Sequence, residues 1–310
     1  IQPVNSIPVL NQSGPTEFVF RVFTSAPELQ ALLFALFLVL YLMILCGNAA
    51  IIWVVCTHSP LHTPMYFFLC NLSFLEICYT TVVVPLLLSN ILGAQKPIPL
   101  AGCGAQMFFF LTLGGTDCFL LAVMAYDRYV AIRHALRYTL IVTRKLCVRM
   151  VGCAAGLALL LSLPLTTLIF TLPFCGHRRE INHFLCDVPP VLRLACADTR
   201  PLLTVPFPLI SASYVLIGSV LLRIRSAAGR RRAVSTCSSH LAVVLLQYGC
   251  CSLVYLRPRS STSEDEDRQI ALIYTFVTPL LNPLIYTLRN KDVKGALKNA
   301  FISKAASDTT

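Results

Sequence analysis

The sequence predicts an all-α membrane protein, a bundle of seven transmembrane helices followed by a short amphipathic helix. Three observations carry this. Hydrophobic residues make up 56% of the 310 residues and charged residues 13%, with a mean hydropathy of +0.72, too apolar for a soluble chain of this size. Seven segments reach the roughly 20 mostly apolar residues that a bilayer-crossing helix needs: Leu29–Thr57, Pro64–Leu92, Leu100–Ala131, Arg144–Thr171, Pro201–Ser226, Ser235–Leu256 and Gln269–Leu288. Charge then alternates between the connecting segments. Those after spans one, three, five and seven hold 16 of the 25 Lys and Arg and three of the 14 acids, whereas the opposite side holds nine of each. By the positive-inside rule the N-terminus is outside and the C-terminus cytoplasmic. The net charge of +11 therefore reads as topology and contact with acidic lipid or an acidic partner surface. It does not read as nucleic-acid binding, for which no patterned domain exists.

Residues 1–27 form a polar, Pro-containing arm with no cleavable signal pattern, so the first span is expected to act as its own insertion signal. Asn11-Gln12-Ser13 is a glycosylation sequon on the predicted outer face. Residues 28–289 make the bundle, 290–301 the amphipathic helix and 302–310 a tail. Span one carries Gly47-Asn48, and a buried Asn amide needs a neighbouring helix to satisfy it. Spans two and three hold the two acids within the apolar region, Glu76 and Asp117. With no Lys or Arg at similar depth, each must be protonated, hydrogen-bonded or facing a cation.

Helical spacing places Phe110, Leu111, Gly114, Asp117 and Arg128 on one stripe of span three. Gly114 and Gly115 either leave room for a ligand or allow close helix packing. The stripe ends at Asp127-Arg128-Tyr129, where headgroups give way to water. Adjacent opposite charges can pair there at modest desolvation cost and part when another group competes. Span five carries Tyr214 in its second half, placed to meet Arg128 once that pair parts, and is followed by the basic Gly229–Arg232 segment. Span six presents Tyr248, Cys251 and Tyr255 at i, i+3, i+7, above His240. Span seven adds Leu272 and Thr275, then Asn282-Pro283, which bends the helix and aims Tyr286 inward. Val293, Leu297 and Phe301 beside Lys291, Lys294 and Lys298 make an amphipathic face suited to the inner leaflet.

Most of the 14 cysteines sit in spans as small apolar residues. Cys103, Cys175, Cys186 and Cys196 fall on the oxidising side and allow three pairings. A zinc site with His177 and His183 is the other reading of the same residues.

Four stretches then appear in order: L-H-T-P-M-Y-F-F-L-C-N-L-S-F-L-E from Leu61 to Glu76, M-A-Y-D-R-Y-V-A-I from Met124 to Ile132, S-T-C-S-S-H-L from Ser235 to Leu241, and N-P-L-I-Y-T-L-R-N from Asn282 to Asn290. Together they closely resemble the odorant (olfactory) receptors of the tetrapod-type (class II) branch, a family of rhodopsin-like G-protein-coupled receptors. The resemblance runs from about Thr16 to Phe301. It implies a small, mostly apolar, neutral ligand held by Phe110, Leu111, Gly114, Gly115, Leu202, Tyr248, Cys251, Tyr255, Leu272 and Thr275. Phe110 stands where amine receptors place an acid, which disfavours a cationic amine. The implied activation switch comprises Asp127, Arg128, Tyr129, Tyr214, His240, Asn282, Pro283 and Tyr286.

The implied partner is a heterotrimeric G protein of the olfactory stimulatory type, which raises cyclic AMP. The implied location is the plasma membrane, in sensory cilia. Glu76 and Asp117 would hold one Na+ or share one proton, against two separately protonated acids bonded to Asn48, Asn282 or backbone carbonyls. No cofactor is otherwise required. Cys103 would pair with Cys186, leaving Cys175 with Cys196. The chain departs from the family pattern at Arg133 and Ala135, where a Cys and a Pro are usual. That puts coupling strength in question and lets the second cytoplasmic loop be more helical. Arg232 replaces a Lys and Glu76 an Asp, each keeping its charge type. Competing readings are a non-olfactory chemosensory receptor, a seven-span transporter or channel, and an intramembrane hydrolase. The second would need polar groups continuing through the core. The third would need a catalytic pair, for which Glu76 and Asp117 are the candidates. No phosphate loop, metal cluster or nucleophile–base pair points to an enzyme.

Overall fold

The computed structural model describes residues 15–21, 23–24, 26–92, 97–175, 179–197, 246, 249–250, 253, 264–281, 283 and 293–295. Within them run α1 (Pro27–Thr57), α2 (Pro64–Ile91), α3 (Leu100–Arg133) and, after the single turn of α4 (Tyr138–Ile141), α5 (Arg144–Phe170). These four long helices are each long and apolar enough to cross a membrane. At 1.5 Å per residue they measure about 40–50 Å, so their ends project beyond a hydrocarbon core of roughly 30 Å. α1 opens with Pro27 and Glu28 in its first turn, a residue that tolerates the missing donor and a charge that complements the dipole. α5 opens on Thr143, whose side chain accepts the Leu146 N–H at 3.3 Å. Consecutive long helices pack side by side, α1 on α2, α2 on α3 and α3 on α5. Leu32, Leu36, Val39 and Trp53 of α1, and Leu160 and Leu163 of α5, face outward, as lipid-facing side chains do.

Also among the described residues are the short helices α6 (Val188–Leu192) and α7 (Glu264–Leu272). α7 continues through a π-helical turn at Ile273–Val277. Helix seven thus begins at Glu264 rather than at the predicted Gln269. Apolar length sets where a span begins, but the four acids at 264–267 are themselves well placed at a helix N-terminus. α3 likewise runs past the predicted Ala131 to Arg133. The predicted span Pro201–Ser226 lies outside the described residues; of Ser235–Leu256, residues 246, 249, 250 and 253 are described and are helical.

At the end of the bundle remote from Arg128 sits a three-stranded sheet in the order β2-β1-β3. β1 (Glu17–Phe20) pairs antiparallel with β2 (Ile98–Pro99) and parallel with β3 (Glu180–Ile181). The last part of the expected polar arm is therefore the central strand. Its alternation Glu-Phe-Val-Phe turns Phe18 and Phe20 into the interior, where Phe18 meets Phe174 edge-on at 5.4 Å between centroids. At the opposite end, Val293 is buried with Ile51, Val54, Leu69, Leu72 and Val130. Leu297 and Phe301, the other apolar positions of the amphipathic segment, lie outside the described residues.

Candidate functional site

At the C-terminal end of α3, Arg128 Nη2 lies 3.1 Å from Asp127 Oδ2. The two ends of this pair differ: Asp127 is buried at 2% side-chain exposure and Arg128 is 26% exposed, so the guanidinium is the end a competitor can reach. A third member comes from α4. The Tyr138 hydroxyl donates to Asp127 Oδ1 at 2.7 Å, and burial, reinforced by that bond and the Asp127 charge, pushes the phenol above its usual range. The 3₁₀ turn Ala135–Arg137 and α4 make the loop helical and deliver Tyr138 to the carboxylate. Tyr129 packs partly buried against the neighbouring apolar cluster.

Higher in α3, Glu76 and Asp117 line the same void together with Leu75, Tyr79, Leu113, Gly114 and Tyr274. Its volume of about 10 Å³ is close to that of one water. Asp117 Oδ1 is buried and has no hydrogen-bond partner among the described residues. Asn48, a candidate partner for these acids, instead donates to the Ile44 carbonyl at 3.0 Å and across to Pro279 of the seventh helix at 3.3 Å, which makes it a fastener between helices. Gly47 beside it lets Pro283 approach: an added Cβ would stand 3.2 Å from Pro283 Cγ.

The two glycines of the α3 stripe separate. A Cβ on Gly114 would meet Tyr79 at 3.5 Å, beside the void, whereas one on Gly115 would meet Ala158 of α5 at 3.3 Å. Gly115 thus serves close packing. Phe110 is buried against Tyr79 at 5.2 Å and Tyr274 at 6.2 Å between centroids. Leu111 and Leu272 are partly buried at its margin, and Thr275 is fully buried. Tyr79 and Tyr274 escaped the sequence reading because each reaches Phe110 from a different helix.

Above this cluster lies the loop from Glu180 to Ala195, anchored by the disulfides Cys103–Cys186 and Cys175–Cys196. All four sulfurs of the alternative zinc set are thus engaged. Backbone bonds from Cys175 N–H to the Leu194 carbonyl and from Cys196 N–H to the Pro173 carbonyl close the second bridge. His183 stacks on Phe184 at 4.6 Å, and its Nδ1 accepts the Leu185 N–H at 3.3 Å. Burial, with the Arg268 and Arg193 charges nearby, pushes this imidazole down to about 3. Asn11, His177, Leu202, Tyr214, His240, Tyr248, Cys251, Tyr255, Asn282 and Tyr286 lie outside the described residues.

Comparison with known proteins agrees along nearly the whole chain. The profile of the family described as olfactory receptor matches residues 37–304. Olfactory receptor 10Q1 of Homo sapiens is 76% identical over 99% of this chain and 99% of its own length. Olfactory receptor 10V1 of Homo sapiens is 54% identical over 94% of this chain and 98% of its own. Olfactory receptor 10J5 of Mus musculus is 45% identical over 92% and 95%. The described residues hold four membrane-length helices and the paired Asp127 and Arg128, and by this similarity the chain belongs to the olfactory receptor family of seven-helix G-protein-coupled receptors and is a receptor rather than an enzyme.

Proposed function

We propose that this receptor binds a small, mostly apolar, neutral odorant beneath the disulfide-anchored loop and activates an olfactory stimulatory G protein, raising cyclic AMP. The observation that supports this best is the continuity of α3. One unbroken helix from Leu100 to Arg133 carries the pocket wall at Phe110, the buried acid at Asp117 and the ion pair at Arg128. Ligand contact at Phe110 can therefore bias the Asp127–Arg128 pair by as much as the ligand's affinity differs between the two states. Among the described residues, the pocket wall of Phe110, Tyr79, Leu111 and Leu272 is aromatic and aliphatic, which suits an uncharged ligand. Beyond Arg128, Leu136 is 99% exposed and Leu140 77%, an apolar surface suited to a partner protein beside the basic Arg133 and Arg137. The orientation is N-terminus outside, with Asn11 glycosylated, the 290–301 segment on inner-leaflet lipid, and the plasma membrane of sensory cilia as its site.

The functional test is cyclic AMP in cells expressing the full chain across a panel of small odorants, beside Arg128→Ala at matched surface amounts. A ligand-dependent rise that vanishes in Arg128→Ala is the expected result. No rise for any ligand with surface receptor present would reject stimulatory coupling over that panel.

Glu76 and Asp117 fit a small hard cation: two carboxylates face one void, and one of their oxygens lacks a partner. In this reading Na+ would supply the missing positive charge and Asp117 Oδ1 would help hold it. Unfolding of detergent-solubilised receptor in NaCl against choline chloride checks this. A Tm several degrees higher in NaCl that disappears in Asp117→Asn is expected; equal values in both salts would favour the shared proton.

A further inference from the structure

The loop from Glu180 to Ala195 is fastened on two sides by contacts of different kinds. Towards α3 the fastening is covalent through Cys103–Cys186, and the Cys186 N–H donates to Gln106 Oε1 at 3.0 Å. Towards the seventh helix the contacts are polar. Arg193 Nη2 meets Asp267 Oδ2 at 2.7 Å, and the Tyr274 hydroxyl donates to Asp187 Oδ2 at 3.1 Å. Asp267 and Tyr274 are about two helical turns apart, so one face of that helix holds both. Asp187 is itself fixed in the loop, its Oδ1 accepting the Val188 N–H at 2.7 Å at the start of α6. Between the two contacts, Arg268 lies over the Phe23 ring at 4.7 Å, and Phe23 stacks on Phe184 of the loop at 6.2 Å. Beneath the loop, Phe184 and Leu185 share one packed cluster with Phe110 and Tyr274.

The two edges are mechanically unequal. Disulfides hold the α3 edge through Cys103–Cys186 and the end of the loop through Cys175–Cys196 whatever the solvent does. On the edge towards the seventh helix, water can compete for the Arg193–Asp267 contact, because Arg193 is 26% exposed while its partner carboxylate is 5% exposed, whereas the Asp187–Tyr274 contact is buried. We propose that Arg193–Asp267 and Asp187–Tyr274 form a clasp that gates the bundle: the loop swings on its Cys103–Cys186 side when the clasp parts, and ligand passes between the loop and the seventh helix. The gate goes beyond the receptor reading and rests on it only for which side of the membrane the loop faces.

The test needs neither odorant nor G protein. Phe110→Cys places a thiol under the loop and leaves room where the ring stood. The full chain carrying it, in intact and in permeabilised cells, is treated with a membrane-impermeant cationic methanethiosulfonate, and labelling is followed in time over a background lacking that cysteine. Slow labelling is expected with the clasp intact, and at least tenfold faster labelling after Arg193→Gln or Asp267→Asn. The charge swap Arg193→Asp with Asp267→Arg should return the slow rate, which a merely misfolded protein would not do. Equal rates in all variants at matched receptor amounts, or a swap as fast as the single variants, overturn the clasp. The comparison of variants stands in permeabilised cells even if intact cells do not label, a result that would instead overturn the proposed orientation.

Discussion

At the scale of single residues, the ion pair at the end of α3 gains its definition from a side chain the sequence reading passed over. Asp127 and Arg128 are legible because they are adjacent; Tyr138 is not, because only the turn of the intervening loop brings its hydroxyl to Asp127 Oδ1. A hydrogen bond to a charged group contributes roughly 1.5–3 kcal/mol, and about 1 kcal/mol remains after allowing for a partly exposed tyrosine. Tyr138→Phe keeps the ring and removes that bond, so ligand-independent cyclic AMP should rise roughly fivefold at equal surface amounts; an unchanged basal level would show that Asp127 does not need Tyr138. His183 behaves differently because its site resists protonation. Held down to about 3 by burial and by Arg268 and Arg193, it stays neutral under the closed loop, while an exposed imidazole protonates near 6.5. The closed state is thus unaffected above about pH 6.5 and weakens by at most roughly 1.4 kcal/mol per unit as pH falls from there towards 3. Labelling of Phe110→Cys should quicken several-fold between pH 7.5 and pH 5.5, after correction for the reagent's own pH dependence. In His183→Phe, which keeps the stack on Phe184, that acceleration should be lost.

At the scale of elements, the starts of α2, α3 and α5 coincide with the predicted starts of spans two, three and four, and the reason is physical. Lipid demands a continuous apolar length and an internally satisfied backbone, and both demands are written in local sequence. The seventh helix starts earlier than expected because its acidic first turn satisfies a helix N-terminus without being apolar. β1 was not legible, since a four-residue strand depends on partners at 98–99 and 180–181. Contacts between helices are the least legible, and the glycines illustrate this. A Cβ added to Gly47 would stand 3.2 Å from Pro283 Cγ, whereas one on Gly156 of α5 would meet nothing within 4 Å among the described residues. Gly47→Val must therefore push α1 from the seventh helix at a cost of about 1–3 kcal/mol, and surface expression and Tm should fall. Gly156→Val meets no such neighbour and should leave both within error. If both substitutions are equally tolerated, the α1 contact with the seventh helix does not limit stability.

At the scale of the whole molecule, charge decides how the bundle sits, and the charge count was legible because topology is set by loops rather than by packing. In the proposed orientation, the 16 basic residues on one side against nine on the other would put Arg128, Tyr138 and Val293 at the cytoplasmic face by the positive-inside rule, with the sheet, both disulfides and the loop over Phe110 outside. The meeting of Glu76 with Asp117 at one void was legible only as two acids that each needed company. The clasp was not legible at all, since Arg193 and Asp267 lie far apart in sequence and each alone reads as a solvated charge. The proposed orientation would join these parts: an external loop would admit ligand, α3 would carry its effect, and the basic face would meet the partner. Asn11 tests that orientation directly, because a glycan is added only where the N-terminus is translocated. Glycosidase treatment of the full chain should lower its apparent mass, and Asn11→Gln should run at the treated position without further change. A C-terminal epitope on the same chain should bind antibody only after permeabilisation. If that epitope is accessible on intact cells while the treated and untreated chains co-migrate, the bundle is inverted, and the ligand loop and the Arg128 face exchange compartments.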